Sequence, residues 1–237
     1  IDLLEKIGYN TLYYEFSSVF EVDGEPYFNY LRPNYTKEEM KEMDAYARAH
    51  GIEMIPIIQT LAHLGHIFRW RAYGQIKDID DVFLVGEPRV YELVENMIKT
   101  VRECFQTNTI HLGMDEAWRL GRGKYCDMHG LKDKHEIMFE HVGKVLDIAR
   151  KYGFECEMWC DMYMHAAYGD YEGKFIWDKS EEVSKIIPKD VKIIYWDYWS
   201  LDKNHYKFYI DSVRKLTDNF LFAGGAWNFF GYCPDNA

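Results

Sequence analysis

The chain has 237 residues, 48% of them hydrophobic, and its 39 acidic residues against 28 basic ones give a formal net charge of −11. This length and composition suffice for one sizeable core, and no linker-like segment interrupts the sequence, so we predict one domain over residues 1–237. The negative charge disfavours nucleic acids and anionic membrane surfaces as partners. No apolar run approaches the ~20 residues that span a bilayer, so a transmembrane segment is not predicted.

The first residues are typical of the last turns of a helix that stops at Gly8. They lack the basic start and the apolar centre of a signal peptide. Five cysteines occur, with no CxxC spacing: Cys104, Cys126, Cys156, Cys160 and Cys233. Free thiols in a reducing compartment are the simplest interpretation, which predicts a cytoplasmic location and no zinc site with sulfur ligands.

Apolar, β-rich segments alternate with helical patterns along the chain. Strands are predicted at 11–15, 53–59, 109–114, 154–159, 191–196 and 219–223. Helices are predicted at about 36–51, 88–105, 135–152, 180–187 and 202–216. The start and stop signals include a capping box of Thr36 with Glu39, and Pro88 at the first position of a helix.

This alternation predicts a parallel sheet with helices outside it. Polar and aromatic residues follow strand after strand, at Glu15, His63, Asp115, Glu116, Trp159, Trp196, Asp197, Tyr198 and Trp227. Such clustering favours an α/β fold of the (β/α)8 TIM barrel type over a doubly wound sheet. Because a barrel needs eight strands and ~250 residues is typical, we predict an incomplete barrel that holds about strands two to seven and is truncated at both ends.

The adjacent carboxylates of Asp115 and Glu116 are the strongest functional signal. They end the β-rich segment that starts at Thr109, and Gly113 just before them permits a bulge that re-aims side chains. A helix N-cap would explain one acid but not the pair. Neighbouring carboxylates that must differ in protonation are what glycosidic bond cleavage requires, so we interpret the pair as catalytic.

His63 follows the second predicted strand and is the candidate that sets the protonation of the acid. A metal site made by His63, His66 and His111 is a weaker interpretation, because the His-x-x-His spacing does not match a helical ligand pair. His111, inside a strand, is predicted to be a satisfied core residue. We therefore predict no metal and no cofactor. Glu15, at the end of the first strand, is predicted to lie in the substrate site and to hold His63 in one tautomer.

The chain resembles the β-N-acetylhexosaminidases of glycoside hydrolase family 20, and within them the short bacterial subgroup. The resemblance rests on the run Ile110-His-Leu-Gly-Met-Asp-Glu-Ala117, followed by Leu120-Gly-x-Gly-Lys-Tyr125. Upstream it includes Gln59-Thr-Leu-Ala-His63 and Asp78-x-Asp80-Asp81. Downstream it includes Met158-Trp-x-Asp-Met162, Tyr195-Trp-Asp-Tyr198 and Phe222-Ala-Gly-Gly-Ala-Trp227.

The resemblance implies an exo-acting, retaining hydrolase of terminal non-reducing β-linked GlcNAc or GalNAc, with a small oligosaccharide or glycoconjugate as substrate. It implies substrate-assisted catalysis through an oxazolinium intermediate. Glu116 would be the general acid/base, Asp115 would orient the 2-acetamido group, and His63 would couple to Glu116.

By the same resemblance, three tryptophans would line the acetamide pocket and the floor of the sugar site: Trp159, Trp196 and Trp227. Tyr198 would donate to the acetamide oxygen, and Asp197 would bind a sugar hydroxyl. The family's sugar-gripping Arg belongs to its first strand, for which this sequence has no counterpart.

Two alternatives stay open at this point. The first is a retaining glycosidase with a protein carboxylate as nucleophile, for which Asp161 and Asp197 are the candidates. The second is a non-catalytic sugar-binding barrel or an inactive fragment.

Overall fold

A computed structural model describes residues 1–169 and 175–225, and the chain divides into two compact units, Ile1–Cys156 and Glu157–Ala237. In the first unit, the elements in chain order are α1 (Asp2–Lys6), β1 (Thr11–Ser17), α2 (Lys37–Ala49), β2 (Glu53–Ile58), two 3-10 helices (Ile67–Arg69 and Arg71–Ile76), β3 (Lys77–Ile79), β4 (Val82–Phe83), α3 (Pro88–Cys104), β5 (Thr109–His111), α4 (Lys124–His129) and α5 (Lys134–Lys151).

The strands β1, β2 and β5 are parallel neighbours in that order. Thr11 pairs with Glu53, and Ile57 pairs with His111. Because parallel strands share a direction, the segments that follow them emerge at one edge. That edge receives the residues after Ser17, Ile58 and His111.

The helices of this unit begin where the sequence predicts. Thr36 and Glu39 form the predicted capping box, in which the Thr36 hydroxyl accepts from the Glu39 amide and the Glu39 carboxylate accepts from the Thr36 amide at 2.8 Å. Pro88 occupies the first turn of α3, where a missing N–H costs nothing. Helices α3 and α5 pack against each other through buried apolar stripes that include Met97 and Val142.

The second unit contains most of β6 (Glu155–Trp159), followed by α6 (Asp161–Tyr168), α7 (Ser180–Ser184), β7 (Lys192–Trp196), α8 (Lys203–Arg214) and β8 (Phe220–Ala223). Its strands are also parallel, with β7 between β6 and β8. Glu157, only 1% exposed, pairs across the ladder with Lys192, whose ammonium group lies 2.7 Å from the buried carboxylate.

The third predicted strand is shorter than the sequence suggested. Strand β5 ends at His111, whereas the apolar pattern extends to Met114. Gly113 and Met114 both have φ = +69°, which takes the backbone out of the extended region. The hairpin of β3 and β4 and the helices α4 and α6 were not predicted, because each is too short to show a clear period.

A buried carboxylate fixes the long segment between β1 and α2. Glu25, 4% exposed, accepts hydrogen bonds from Arg89 (2.6 Å), Tyr73 (3.0 Å) and Asn96 (3.1 Å). Three donors satisfy a charge that burial would otherwise penalise. The segment is therefore held against α3 and the second 3-10 helix.

Among the helices of residues 1–169 and 175–225, none combines the length and the apolarity that crossing a membrane would require.

Candidate active site

The side chains of His63, Asp115 and Glu116 meet at the edge where the first unit's strands end. His63 Nε2 lies 3.2 Å from Asp115 Oδ2 and 3.6 Å from Glu116 Oε2. The N–H of this nitrogen is not aligned with the Asp115 oxygen, so the contact is an ion pair rather than a well-formed hydrogen bond. One polar atom from each of the three side chains lies within 4.8 Å of the other two.

His63 is cationic at neutral pH. Its contact with the Asp115 carboxylate is the largest cause that raises the imidazole pKa to about 9; burial opposes the shift, and the charges of Asp115, Glu116 and Asp81 add to it. The Asp81 carboxylate lies 3.9 Å from Nδ1, on the other side of the ring. The predicted pairing of His63 with the acid pair is therefore present in the geometry, and its closer partner is Asp115.

The backbone around the acids is held in an unusual conformation. Met114 (φ = +69°), Glu116 (+53°) and His63 (+59°) all lie in the left-handed region, which costs a residue with a Cβ on the order of 1 kcal/mol or more. Two of these residues, Glu116 and His63, carry side chains of the site, and Met114 directly precedes the acid pair. Strain of this kind persists only where the surrounding structure fixes it.

Gln59 bridges two carboxylates beneath this point. Its Nε2 donates to Asp115 Oδ1 at 3.1 Å and to Glu15 Oε1 at 3.3 Å. Because both neighbours are acceptors, the amide nitrogen must face them. Gln59 is only 2% exposed, and it leaves Asp115 with one oxygen toward the amide and the other toward His63.

Glu15 contacts Gln59 and not His63, so the predicted tautomer-setting role is wrong. Strand β1 has a register shift between Glu15 and Ser17, and this irregularity aims the carboxylate at the end of β2. The carboxylate beside His63 Nδ1 is that of Asp81. The position of Glu15 at the end of a strand could not reveal that Asp81 lies beside His63 instead, since the direction of the Glu15 side chain depends on the local bulge.

The absence of a side chain at Gly113 leaves the space that the Gln59 side chain occupies. A Cβ at this position would lie 2.3 Å from Gln59 Oε1 and 2.8 Å from the Ile58 carbonyl oxygen. With φ = +69°, the site also requires a conformation that favours glycine. The residues predicted from the sequence did not include Gln59, although it opens the motif that contains His63.

A second histidine supports the end of β2 from inside the core. His141, on α5 and fully buried, donates from Nε2 to the Thr60 carbonyl at 2.8 Å and accepts from the Tyr91 hydroxyl at 3.3 Å. Burial lowers its pKa to about 4, so it is neutral. The Thr60 hydroxyl in turn donates to the Leu112 carbonyl at 2.7 Å, which ties β2 to the segment after β5.

The hairpin of β3 and β4 presents three aspartates to different partners. Asp78, 7% exposed, accepts from the amides of Gly121 (2.7 Å) and Tyr125 (2.8 Å), in the segment that follows Glu116. Asp80 pairs with Arg119 at 2.7 Å. Through these contacts the hairpin holds the segment that follows Glu116, and its Asp81 lies beside His63. In the sequence this Asp-rich motif contributed only to the resemblance, and no role could be assigned to it.

In the second unit, the predicted binding residues lie at the ends of β6 and β7. Trp159 and Trp196 are the last residues of these strands, and both are partly exposed. Tyr198 follows the end of β7, and its ring lies beside that of Trp196, with centroids 5.8 Å apart. Trp227 lies outside the described residues.

The alternative nucleophiles, Asp161 and Asp197, are both buried in the structure. Asp161 is 0% exposed at the start of α6, and Asp197 is 7% exposed. Asp197 accepts hydrogen bonds from the Tyr195 hydroxyl and from His205 Nε2, each at 2.7 Å. A carboxylate that must reach an anomeric carbon needs access to it, so this geometry disfavours both as nucleophiles.

A metal interpretation would involve His63, Asp115 and Glu116 rather than the three histidines. These are the ligand-type side chains that come within metal-sharing distance in the described part of the chain. A metal would bind neutral imidazole, whereas His63 holds its proton to about pH 9. His111 is buried, its pKa is lowered to about 3, and its Nδ1 accepts from the Gly113 amide, as expected for a core residue.

The segments that carry this site are similar to known proteins. Residues 18–220 match the family described as glycosyl hydrolase family 20, catalytic domain. A hexosaminidase D of Bos taurus is 23% identical over 235 residues, which cover 95% of this chain and 65% of that protein. A β-hexosaminidase of Porphyromonas gingivalis is 26% identical over 153 residues, or 56% of this chain and 19% of that protein. The chain thus spans less than two thirds of the length of these relatives.

Solved structures show the fold. A β-N-acetylhexosaminidase of Bacteroides fragilis superposes over 100% of this chain and 50% of its own, with a TM-score of 0.71 at 17% identity. An exo-β-N-acetylglucosaminidase of Vibrio harveyi, solved with N-acetylglucosamine, covers 96% of this chain and 38% of its own, with a TM-score of 0.69 at 16% identity. The predicted α/β fold, an incomplete (β/α)8 barrel, is confirmed.

We expect the Asp115→Asn substitution to lower the pKa of the His63 imidazole from about 9 toward its ordinary value of 6.5, because it removes the largest cause of the shift. The folded-state pKa is raised, so the stabilisation by this ion pair is complete below pH 6.5 and is lost as the pH rises through 9. An NMR titration of the imidazole resonances measures the change. An unshifted His63 in wild type would contradict the geometry.

We expect Gly113→Ala to lower the free energy of unfolding by more than the ~1–2 kcal/mol of a left-handed alanine, because the new methyl group also overlaps Gln59 and the Ile58 carbonyl. Gly143→Ala is the matched control. Gly143 lies inside α5 with open space where the alanine methyl group would lie, so this change should stabilise by ~0.5–1 kcal/mol. Urea unfolding of both variants measures the contrast, and equal effects would refute the role of Gly113.

Proposed function

The chain belongs to glycosyl hydrolase family 20, and we propose that it hydrolyses terminal, non-reducing β-linked N-acetylhexosamine from oligosaccharides or glycoconjugates. The reaction is exo-acting and retains the anomeric configuration. It proceeds with the substrate's own 2-acetamido group as nucleophile.

One observation carries this proposal: both carboxylates of the Asp115–Glu116 pair turn to the same imidazole. One oxygen of each acid lies within 4.8 Å of the other and of the imidazole nitrogen, so the two side chains converge on the same place. An acid and a protein nucleophile act on the sugar from different sides of the scissile bond, and two adjacent residues that share one partner do not suit that division. With Asp161 and Asp197 buried, the second reactive group is better supplied by the substrate.

The two acids divide the chemistry. Glu116, whose side chain is 39% exposed, donates its proton to the departing glycosidic oxygen. The acetamido oxygen attacks the anomeric carbon, and the C–O bond to the leaving group breaks, which leaves an oxazolinium ring. Asp115 accepts from the acetamido N–H and stabilises the positive charge that develops there. Water then opens the ring, with the Glu116 carboxylate as general base.

His63 and Gln59 are positioning residues in this scheme. A cationic His63 stabilises the ionised Asp115, and it stabilises the Glu116 anion once the proton has left. Gln59 fixes the rotamer of Asp115 by donating to Oδ1. The left-handed backbone at Met114 and Glu116 sets the direction in which the chain presents the two acids.

Sugar binding by Trp159, Trp196 and Tyr198 is part of the proposal and rests on the family resemblance. A contact of Asp197 with a sugar hydroxyl stays a prediction, because its carboxylate is buried and already accepts from Tyr195 and His205. Indole faces suit the apolar faces of a pyranose ring, and a phenol hydroxyl suits the acetamide oxygen. GlcNAc or GalNAc is the terminal sugar. A cytoplasmic location, suggested by the cysteine pattern, belongs to the proposal as well.

We expect Glu116→Gln to lower kcat for a β-GlcNAc oligosaccharide by about 10² to 10⁴, the usual contribution of a general acid. Asp115→Asn should cost on the order of 10² to 10³ in kcat, because charge stabilisation is lost while the shape is kept. Asp127→Asn, at an exposed residue of α4, is the control with the same chemical change and should leave kcat unaltered. Full activity in either acid variant would overturn the proposal.

Substrates without the acetamido group separate substrate assistance from a protein nucleophile. We expect an aryl β-GlcNAc to be hydrolysed and the matching aryl β-glucoside to be left intact, since the glucoside carries no internal nucleophile. Rates should be unchanged in EDTA, which tests the prediction of no metal. Comparable kcat/KM for both glycosides would instead favour a carboxylate of the protein. Binding of GlcNAc without hydrolysis would favour a sugar-binding domain.

A further inference from the structure

Three arginines follow β1 and β2 without a carboxylate within ion-pair distance among the residues that the structure describes. Arg32 lies between β1 and α2, and Arg69 and Arg71 flank Trp70 in the 3-10 helices after β2. Arg32 donates to the Ser18 hydroxyl at a long 3.4 Å. In this strongly acidic chain other arginines do find an acid, as Arg119 does with Asp80.

The two segments that carry these arginines touch through aromatic rings. Tyr30 and Trp70 meet edge to face, with ring centroids 5.0 Å apart, and Phe28 approaches His66 at 6.4 Å. Because Arg32 is two residues from Tyr30 and Arg69 adjoins Trp70, the contact brings the backbone of both arginines to the same rim. The buried Glu25 network holds this segment in place.

The pKa of His66 reflects the positive charge at this rim. Burial is the first cause that lowers its pKa to about 4, and the charges of Arg32 and Arg69 lower it further. Both cations therefore act on one ring. Its buried Nε2 has no hydrogen-bond partner in the part of the chain described. The neutral ring adds no negative charge that could satisfy the arginines.

This rim lies close to the catalytic pair. His66 is three residues from His63, which a chain spans in at most ~11 Å. His63 Nε2 is in turn 3.2 Å from Asp115. The rim and the acid pair are therefore near enough for neighbouring sugars of one substrate to contact both.

We propose that the arginine rim, made by Tyr30, Arg32, Arg69 and Trp70, binds an anionic sugar on the leaving-group side of the cleaved bond. This inference rests on the proposed glycosidase function. The preferred substrate is a terminal β-N-acetylhexosamine linked to a uronic acid or to a sulfated sugar. Guanidinium groups match carboxylate and sulfate oxygens in a fork geometry, and the partly exposed Trp70 face supports the ring.

The test compares three disaccharides with the same linkage on the full chain, in which GlcNAc is β-linked to glucuronic acid, to sulfated glucose or to glucose. We expect kcat/KM to be about tenfold higher for at least one anionic substrate than for the neutral one, the size of one charge-assisted contact. The preference should shrink in 1 M salt, where the screening length falls to about 3 Å. The anion that is preferred identifies the ligand.

Arg69→Gln should lower kcat/KM for the preferred anionic disaccharide about tenfold and leave aryl β-GlcNAc hydrolysis unchanged. Arg69 is exposed, so its loss should not affect folding; Arg32→Gln is the second variant. Arg48→Gln is the matched control, because this exposed arginine near the end of α2 lies before β2, not after it. Arg48→Gln should leave the substrate preference unchanged.

The outcomes separate the two proposals. Equal kcat/KM for the charged and neutral disaccharides in wild type, with aryl β-GlcNAc hydrolysed, would overturn the anionic preference and leave the glycosidase function intact. Without hydrolysis of aryl β-GlcNAc, the glycosidase function fails; calorimetric binding of the glucuronic acid disaccharide to wild type and Arg69→Gln then still tests the rim. Equal binding by the two proteins would refute it.

Discussion

A single cation between two carboxylates is the interaction that organises the first unit's candidate site. Asp115 and Glu116 are adjacent in the chain, so they repel each other whenever both are ionised, as they are after Glu116 has given up its proton. His63 supplies a positive charge, at 3.2 Å from one acid and 3.6 Å from the other. Gln59, Gly113 and the left-handed backbone then serve one purpose, which is to keep the acids turned toward that imidazole. Without the positive charge on His63, no attraction would draw the Asp115 and Glu116 side chains to a common point.

The histidines of this unit show how environment alone separates structural from chemical roles. His111 and His141 are fully buried, and desolvation lowers their pKa values to about 3 and about 4. Each is a neutral hydrogen-bonding group that fixes backbone near the site. His63 is half-buried too, yet the carboxylates around it outweigh desolvation and raise its pKa to about 9. One residue type therefore works as a neutral brace in the core and as a fixed charge at the edge.

The charged side chains in the segments after β1 and β2 have two different roles, anchoring the segment and placing positive charge beside the candidate site. Glu25 turns inward, where Arg89 and two neutral donors satisfy it, and this contact anchors the segment. Arg32, with one long hydrogen bond to Ser18, and Arg69 have no carboxylate partner among residues 1–169 and 175–225. An inward ion pair beside such arginines is an arrangement suited to recognition, because the anchored segment is already ordered before a ligand arrives. The proposed anionic preference follows from that arrangement rather than from overall charge, which is negative.

The amino-acid sequence alone specified the alternation of six strands with helices, the capping box at Thr36, and the position of the acid pair with His63 as its partner. These features follow from local periodicity and from residue types at strand ends, which the chain carries without folding. The folded chain was needed to show that β5 stops at His111, that Glu15 turns to Gln59, and that Asp78 braces the segment after Glu116. Those outcomes depend on contacts between residues more than forty positions apart, such as Gln59 with Glu15 and Asp115, and no local pattern encodes a distance in space.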